Sequence, residues 1–311
     1  MRDLHGSSAI DRVIALRSFP GYALLPLDDV DGLASAARDR VAKAGEYLFR
    51  EGEIPTQVFF ITGGRLETRR KGQVVRDFVA GNAVGGLAAL GNTRHPYDCV
   101  AVEDTTLIVL NTEHLTDIFE EHFQIIRAVL SAMSGQVLDL RQSIGAEGGY
   151  ELTTWKPDGA PPPRMNLIER LAFLRSGMQF AGSRLEALAD LARQCDEVRL
   201  EAGDVLWREG EHAESFVVIA WGAVRTQALS GVEARFGPGD VVGFLGPFSG
   251  RPRWYTATAE TPLVGLRLSS EVLLDVCEDH TELALEMIRT VATGLLAIML
   301  SSTTPGPESK K

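Results

Sequence analysis

Two stretches of this chain are near copies of each other. IDRVIALRS from Ile10 matches IERLAFLRS from Ile168, and AGEYLFREGE from Ala44 matches AGDVLWREGE from Ala202. Both pairs lie 158 positions apart. The same offset pairs Gly64 with Gly222, Phe78 with Phe236, Gly81 with Gly239, Gly85 with Gly243, Ala101 with Ala259 and His122 with His280. No gap is needed from about Ile10 to Ile298, so the chain is two copies of one domain. A repeat of that size excludes a short-period solenoid. Each copy is long enough to bury its own core.

The repeat sets the expected boundaries: one domain over residues 1–144, a linker over 145–164, a second domain over 165–300, and a disordered tail over 301–311. The linker is rich in Gly and Pro, and its Pro161-Pro162-Pro163 run favours an extended, stiff stretch. Within copy one, Ile10–Ser18 and Leu33–Arg40 are predicted helices. From Ala44 to Leu110 the pattern changes to short apolar runs punctuated by glycines at 45, 52, 63, 64, 72, 81, 85 and 86. That pattern predicts a small antiparallel β-barrel of jelly-roll type in each copy. Helix returns from Glu113, with Ile126, Val129, Met133, Val137 and Leu140 on one stripe. Its counterpart in copy two, about Leu283–Leu300, carries Met287, Val291, Leu295 and Met299. That stripe is expected to bury against the first copy's helix or against a second chain, which would make a homodimer through the C-terminal helices.

Composition narrows the partners. Lys+Arg number 31 against 42 Asp+Glu, for a net charge of −11, so a phosphate backbone is a poor first partner. Cys99, Cys195 and Cys277 are far apart and form no metal-binding spacing. Three thiols and an N-terminus without a signal-type apolar core fit a cytoplasmic protein. The apolar run Val291–Leu300 is too short to span a bilayer, so no membrane role is expected. His5, His95, His114, His122, His212 and His280 include no pair two apart, which a metal-dependent barrel enzyme would need. No phosphate loop, nucleophile elbow or HExxH motif is present, so no catalysis and no cofactor are expected.

The residues that carry a resemblance are the G-E-x-L-F-x-E-G-E run of copy one, which copy two keeps with Asp204 and Trp207 in it, a Gly that ends a strand, and F-x-x-G-x-x-x-G after it. In these each copy resembles a cyclic-nucleotide-binding domain of the type found in catabolite-activator proteins and kinase regulatory subunits. The resemblance implies a phosphate-binding cassette in which a Glu accepts from the ribose hydroxyl, an Arg pairs with the cyclic phosphate, and backbone N–H groups at a short helix cradle its oxygens. A buried anion needs a fixed cation and oriented donors.

Against that cassette, copy two reads Gly243, Phe244, Leu245, then Arg253, Trp254, Tyr255 and Thr256. Arg253 falls on the phosphate-binding Arg and Thr256 on the small hydroxyl residue. Phe244 stands at the Glu position, where a phenyl ring accepts no hydrogen bond and would fill part of the sugar space. Gly246-Pro247 is expected to interrupt the short helix. Copy one reads Gly85, Gly86, Leu87, then His95, Pro96, Tyr97 and Asp98. Gly86 replaces the Glu, His95 the Arg, and Asp98 would repel a phosphate. Arg94 would restore the charge only by turning inward. The resemblance therefore implies a receptor-like regulatory and signalling protein with degenerate pockets. It would bind cAMP or cGMP weakly or not at all, more in copy two than in copy one, and act through a protein partner. The alternative is a ligand-free scaffold. Relatives that bind DNA carry a helix-turn-helix after the barrel, for which the Ser/Pro-rich stretch after Leu300 offers no pattern, so no DNA partner is expected.

Plainer readings stand beside these. Arg253 also reads as a structural surface arginine. Trp254, Tyr255 and Trp221 would stack on a base or, more commonly for strand aromatics, pack in the core. His95 reads as a polar loop residue, His122 and His280 as helix-terminal residues, and Arg69-Arg70-Lys71 as a solvated hairpin tip.

Overall fold

Alternating apolar residues between positive-φ glycines fold into hairpins, and these build the same two sheets in each copy. The computed structural model describes residues 8–19, 22–23, 25–144, 160–176, 180 and 182–301. In copy one, helices α1 (Ala9–Leu16) and α2 (Leu27–Ala36) precede strands β1 (Ala37–Ala42), β2 (Tyr47–Phe49), β3 (Gln57–Gly63), β4 (Arg65–Arg70), β5 (Gln73–Val79) and β6 (Ala83–Val84). The short helix α3 (Gly86–Leu90) leads to β7 (Asp98–Ala101) and β8 (Thr105–Asn111), then to helices α4 (Leu115–Glu121) and α5 (Phe123–Ile144). The sheets are antiparallel, in the orders β1-β8-β3-β6 and β2-β7-β4-β5.

Copy two repeats every element. Helices α6 (Leu167–Ser176) and α7 (Leu185–Gln194) precede β9 (Asp196–Leu200), β10 (Val205–Trp207), β11 (Ser215–Trp221), β12 (Val224–Gln227), β13 (Glu233–Phe236) and β14 (Val241–Val242). Then come α8 (Leu245–Ser249), β15 (Thr256–Ala259), β16 (Leu263–Ser269), α9 (Ser270–Asp279) and α10 (Thr281–Ser301). Its sheets run β9-β16-β11-β14 and β10-β15-β12-β13. The jelly-roll expectation holds in both halves.

Each barrel is filled by the inward faces of its two sheets. In copy one Phe49, Phe59, Ile61, Leu66, Phe78, Tyr97, Cys99, Leu107 and Val109 form one buried cluster. In copy two Trp207, Val217, Ile219, Val224, Val242, Tyr255 and Leu263 do the same. Burial pushes the Cys99 thiol up to about 12, an inert core thiol.

Two expectations need correction. Helix does not cover Leu33–Arg40: α2 ends at Ala36, and Ala37–Ala42 is a strand paired with β8 from Ala37↔Leu110 to Ala42↔Thr105. The charged residues of Ala37-Arg38-Asp39-Arg40-Val41-Ala42 disguise it, because an edge strand needs few apolar positions. The C-terminal helix begins at Thr281, so α10 is long and apolar enough over Thr281–Leu300 to cross a bilayer by length and composition. Its Met287, Ile288, Val291, Ala292, Leu295 and Leu296 are nonetheless buried in protein, as in a core helix. By compactness alone the chain divides at other points than the repeat boundaries. One unit is Met1–Ala132 with the chain from Ile288, the other Met133–Met287, so α5 and α10 each contribute to both. Most of the expected linker, residues 145–159, and the tail from 302 lie outside the described residues.

Candidate functional site

In copy two the cassette begins where β14 ends. Gly243 has φ +85°, and a Cβ there would sit 2.7 Å from Arg253 Nη1 and from the Trp207 ring. Only glycine lets the chain turn so close to that pair. The short helix then forms over Leu245–Ser249, against the expectation that Gly246-Pro247 would interrupt it. Pro247 is its third residue, where the missing N–H leaves no helical bond unmade.

Arg253 is buried, which removes the surface-arginine reading. Its Nη1 donates to the Gly243 carbonyl at 3.2 Å and its Nη2 to the Ser215 carbonyl. Its Cζ lies 4.0 Å from the centre of the Trp207 ring. Burial lowers its pKa from the ordinary value, yet a guanidinium stays charged. Two carbonyls and an indole face meet that charge. Arg253 Nε and Trp207 Nε1 are both buried without a partner, at a cost of about 1–3 kcal/mol each. The Gly243 N–H, a natural donor to an anion, donates instead to the Tyr255 hydroxyl at 3.0 Å.

Phe244 does not lie with the barrel-lining residues. Its ring meets Phe216 edge-on at 5.2 Å and Phe248 at 4.9 Å. Phe216 alternates with Val217 and Ile219 along β11, so it faces away from the barrel interior. The ring is therefore engaged on that outer side, and the expectation that it fills the sugar space is not met. Leu245 opens α8 and is half-buried. Thr256 Oγ1 accepts from the Glu209 N–H at 3.1 Å. Trp254 is half-buried and meets Tyr255 edge-on at 4.8 Å. Trp221 closes β11 opposite Val264.

Copy one has the same frame with different chemistry. Gly85 (φ +87°) caps α3, Gly86 and Leu87 open that helix, and a Cβ on Gly86 would meet only Val58 Cγ1 at 3.5 Å. His95 lies in the loop between α3 and β7, as its plain reading expects, but it is buried there. Its imidazole lies flat on Phe49, with centroids 3.7 Å apart, and Nδ1 has no partner. Burial pushes its pKa down to about 4, so it is neutral at pH 7. Asp98 Oδ1 accepts from the Glu51 N–H at 2.8 Å, the role Thr256 fills 158 positions later. Arg94 turns to the Gly52 carbonyl at 2.7 Å and supplies no inward charge. Among the described residues no group of His, Cys, Asp and Glu is placed to hold a metal ion.

Outside the cassettes, His122 and His280 end α4 and α9, as their helix-terminal reading expects. Each ring also bonds a carboxylate on the helix that precedes its barrel: His122 Nδ1 with Asp29 at 2.8 Å, His280 Nε2 with Asp190 at 3.2 Å. The Arg69-Arg70-Lys71 run reaches a hairpin tip, with Lys71 at φ 50° and Gly72 at φ 79°.

The residues missed from sequence are Trp207 and Phe49. The signal was the offset itself, which sets an aromatic at 49/207 under a planar side chain at 95/253.

A family model described as "Cyclic nucleotide-binding domain" matches residues 39–122 and 197–280. The cGMP-dependent protein kinase egl-4 of Caenorhabditis elegans is 24% identical over 208 residues, 67% of this chain and 22% of the kinase. The transcriptional activator protein anr of Pseudomonas aeruginosa is 28% identical over 123 residues, 38% of this chain and 50% of its own length. The chain thus spans about a fifth to a half of these curated relatives. Among solved structures, the regulatory domain of Toxoplasma gondii PKA with cAMP aligns over 92% of this chain and 97% of its own, at 18% identity and a TM-score of 0.35.

Proposed function

Because the chain belongs to the cyclic nucleotide-binding domain family, we propose that it is a regulatory protein, with one such domain in each repeat, that acts by binding a protein partner rather than by catalysis. A kinase is one class of partner, as the likeness to a cGMP-dependent kinase suggests. We take residues 1–144 and 165–300 as the two functional domains and the cytoplasm as their compartment.

The ligand-responsive copy in this reading is copy two, and the observation that carries it is Arg253. It puts a cation at the cassette position of copy two, where copy one has a neutral imidazole. An oxyanion leaving water for a barrel interior needs that charge. Cyclic AMP or cyclic GMP would bind weakly, because Arg253 must first leave the carbonyls of Gly243 and Ser215. Copy one is a pseudo-site, filled by the His95–Phe49 stack.

Titration calorimetry of the whole chain with cyclic AMP and with cyclic GMP tests this. Binding of either at micromolar or weaker affinity is the expected result. Heat-silent titrations with both, at millimolar ligand, would leave the second reading: a scaffold whose barrels serve only protein contacts. The two carbonyls that already hold the Arg253 Nη groups favour that second reading.

A further inference from the structure

We propose that Trp207 is a positioning residue that latches Arg253 in a ligand-free orientation, so that the second barrel is held shut from within. The ligand half of this inference rests on the reading of copy two as the responsive domain. The latch itself rests on geometry alone.

Four contacts converge on the same few atoms. Trp207 offers its ring face to the guanidinium at 4.0 Å. The Gly243 and Ser215 carbonyls take one N–H group each from Nη1 and Nη2. The Gly243 N–H is occupied by the Tyr255 hydroxyl. A Cβ on Gly243 would strike both Arg253 and Trp207, so the backbone is shaped around the pair. The closed arrangement is not a fully satisfied one, because Arg253 Nε and Trp207 Nε1 remain buried without acceptors. A site with two unpaired buried donors is poised to exchange its internal bonds for those of an oxyanion. Copy one shows the same construction in another chemistry, a flat imidazole on the Phe49 ring. There the planar group carries no charge, so opening it would offer nothing to an anion.

An aromatic face under the guanidinium is what distinguishes a latch from simple filling of space. Trp207→Phe keeps that face and Trp207→Leu removes it while keeping apolar bulk. Two readouts on the full chain separate the two halves of the inference. First, urea unfolding is followed for Trp207→Leu, Arg253→Met and the double variant. A latch predicts that the two substitutions are coupled, the second costing measurably less once the first is made, and that Trp207→Phe retains most of the wild-type midpoint. Additive losses, or a Trp207→Phe protein as weakened as Trp207→Leu, would overturn the latch whatever the ligand result. Second, calorimetry with cyclic AMP and cyclic GMP is repeated on the folded variants. Affinity in Trp207→Leu is expected to rise about tenfold over wild type, with Trp207→Phe near wild type. A folded Trp207→Leu that binds more weakly than wild type would overturn the latch as a brake on binding. Coupled unfolding with no binding in any variant would keep the structural latch and overturn the ligand reading instead.

Discussion

The Arg253 guanidinium lies over the indole of Trp207, its Cζ 4.0 Å from the ring centre. The backbone around it matches that of His95 bond for bond. Arg253 N–H donates to Glu211 O and its carbonyl accepts from Gly210, as His95 does with Glu53 and Gly52. The two copies share a socket and differ in what fills it. In the proposed reading, the charge in that socket sets which barrel receives an anion.

Arg253→Ala is therefore expected to abolish whatever cyclic-nucleotide binding calorimetry detects. It should also destabilise the fold by about 1–2 kcal/mol, since two part-buried carbonyls lose their donors. His95→Ala should leave binding unchanged. Binding that survives the first change, or disappears with the second, would place the site in the other copy.

Acid should weaken copy one through His95. Its folded pKa is depressed to about 4 by burial, from the ordinary 6.5. Between those values the unfolded chain takes up a proton that the folded chain refuses, so stability falls as pH drops from about 6.5 to about 4. The full loss is on the order of 3 kcal/mol, complete near pH 4. Urea midpoints of wild type and His95→Phe, compared across that range, should converge toward alkaline pH and diverge toward acid. Parallel curves would mean that the imidazole is not held neutral.

Two glycines with the same backbone separate strain from crowding. Gly45 has φ +84° with nothing within 4 Å of an added Cβ, and Gly243 has φ +85° with Arg253 and Trp207 at 2.7 Å. Gly45→Ala should cost only the left-handed penalty of about 1–2 kcal/mol. Gly243→Ala should cost at least about 1 kcal/mol more, because a packed core must also shift. Equal losses in urea unfolding would show that the Arg253–Trp207 pair gives way easily.

The histidine ties are expected to differ in strength. Both partners of His122–Asp29 are sheltered, whereas Asp190 is more exposed and also pairs with Arg193 at 2.6 Å. Double-mutant cycles with Asn at each position should give about 1 kcal/mol for the first pair and less for the second. A larger coupling in copy two would contradict this ranking.

Much of the fold was legible because backbone demands repeat. Gly81, Gly85, Gly239 and Gly243 all have positive φ, at turns that only glycine makes without strain. Their common offset announced two copies of one barrel before any strand was placed. The β1 strand escaped notice because its outward residues are charged and its identity comes from pairing with β8, many residues away. The aromatic pair under His95 and Arg253 was also written in the offset, though nothing local distinguished Phe49 or Trp207 from ordinary strand residues.

The order of residues was enough to show that two jelly-roll barrels follow one another and that, of the two copies, copy two holds an arginine at the cassette position. Where that arginine points is set by the packed fold. Its acceptors are the carbonyls of Gly243 and Ser215, on two other strand ends, and its support is Trp207. Phe244 likewise turned toward Phe216 and Phe248 rather than the barrel. The histidine ties make the same point: the partners Asp29 and Asp190 do not share the repeat offset, since the residue 158 positions before Asp190 is Gly32. Backbone conformation follows from each residue's own steric limits and survives duplication. Side-chain direction is settled by whichever distant groups the fold brings within reach, and no spacing in the chain encodes that.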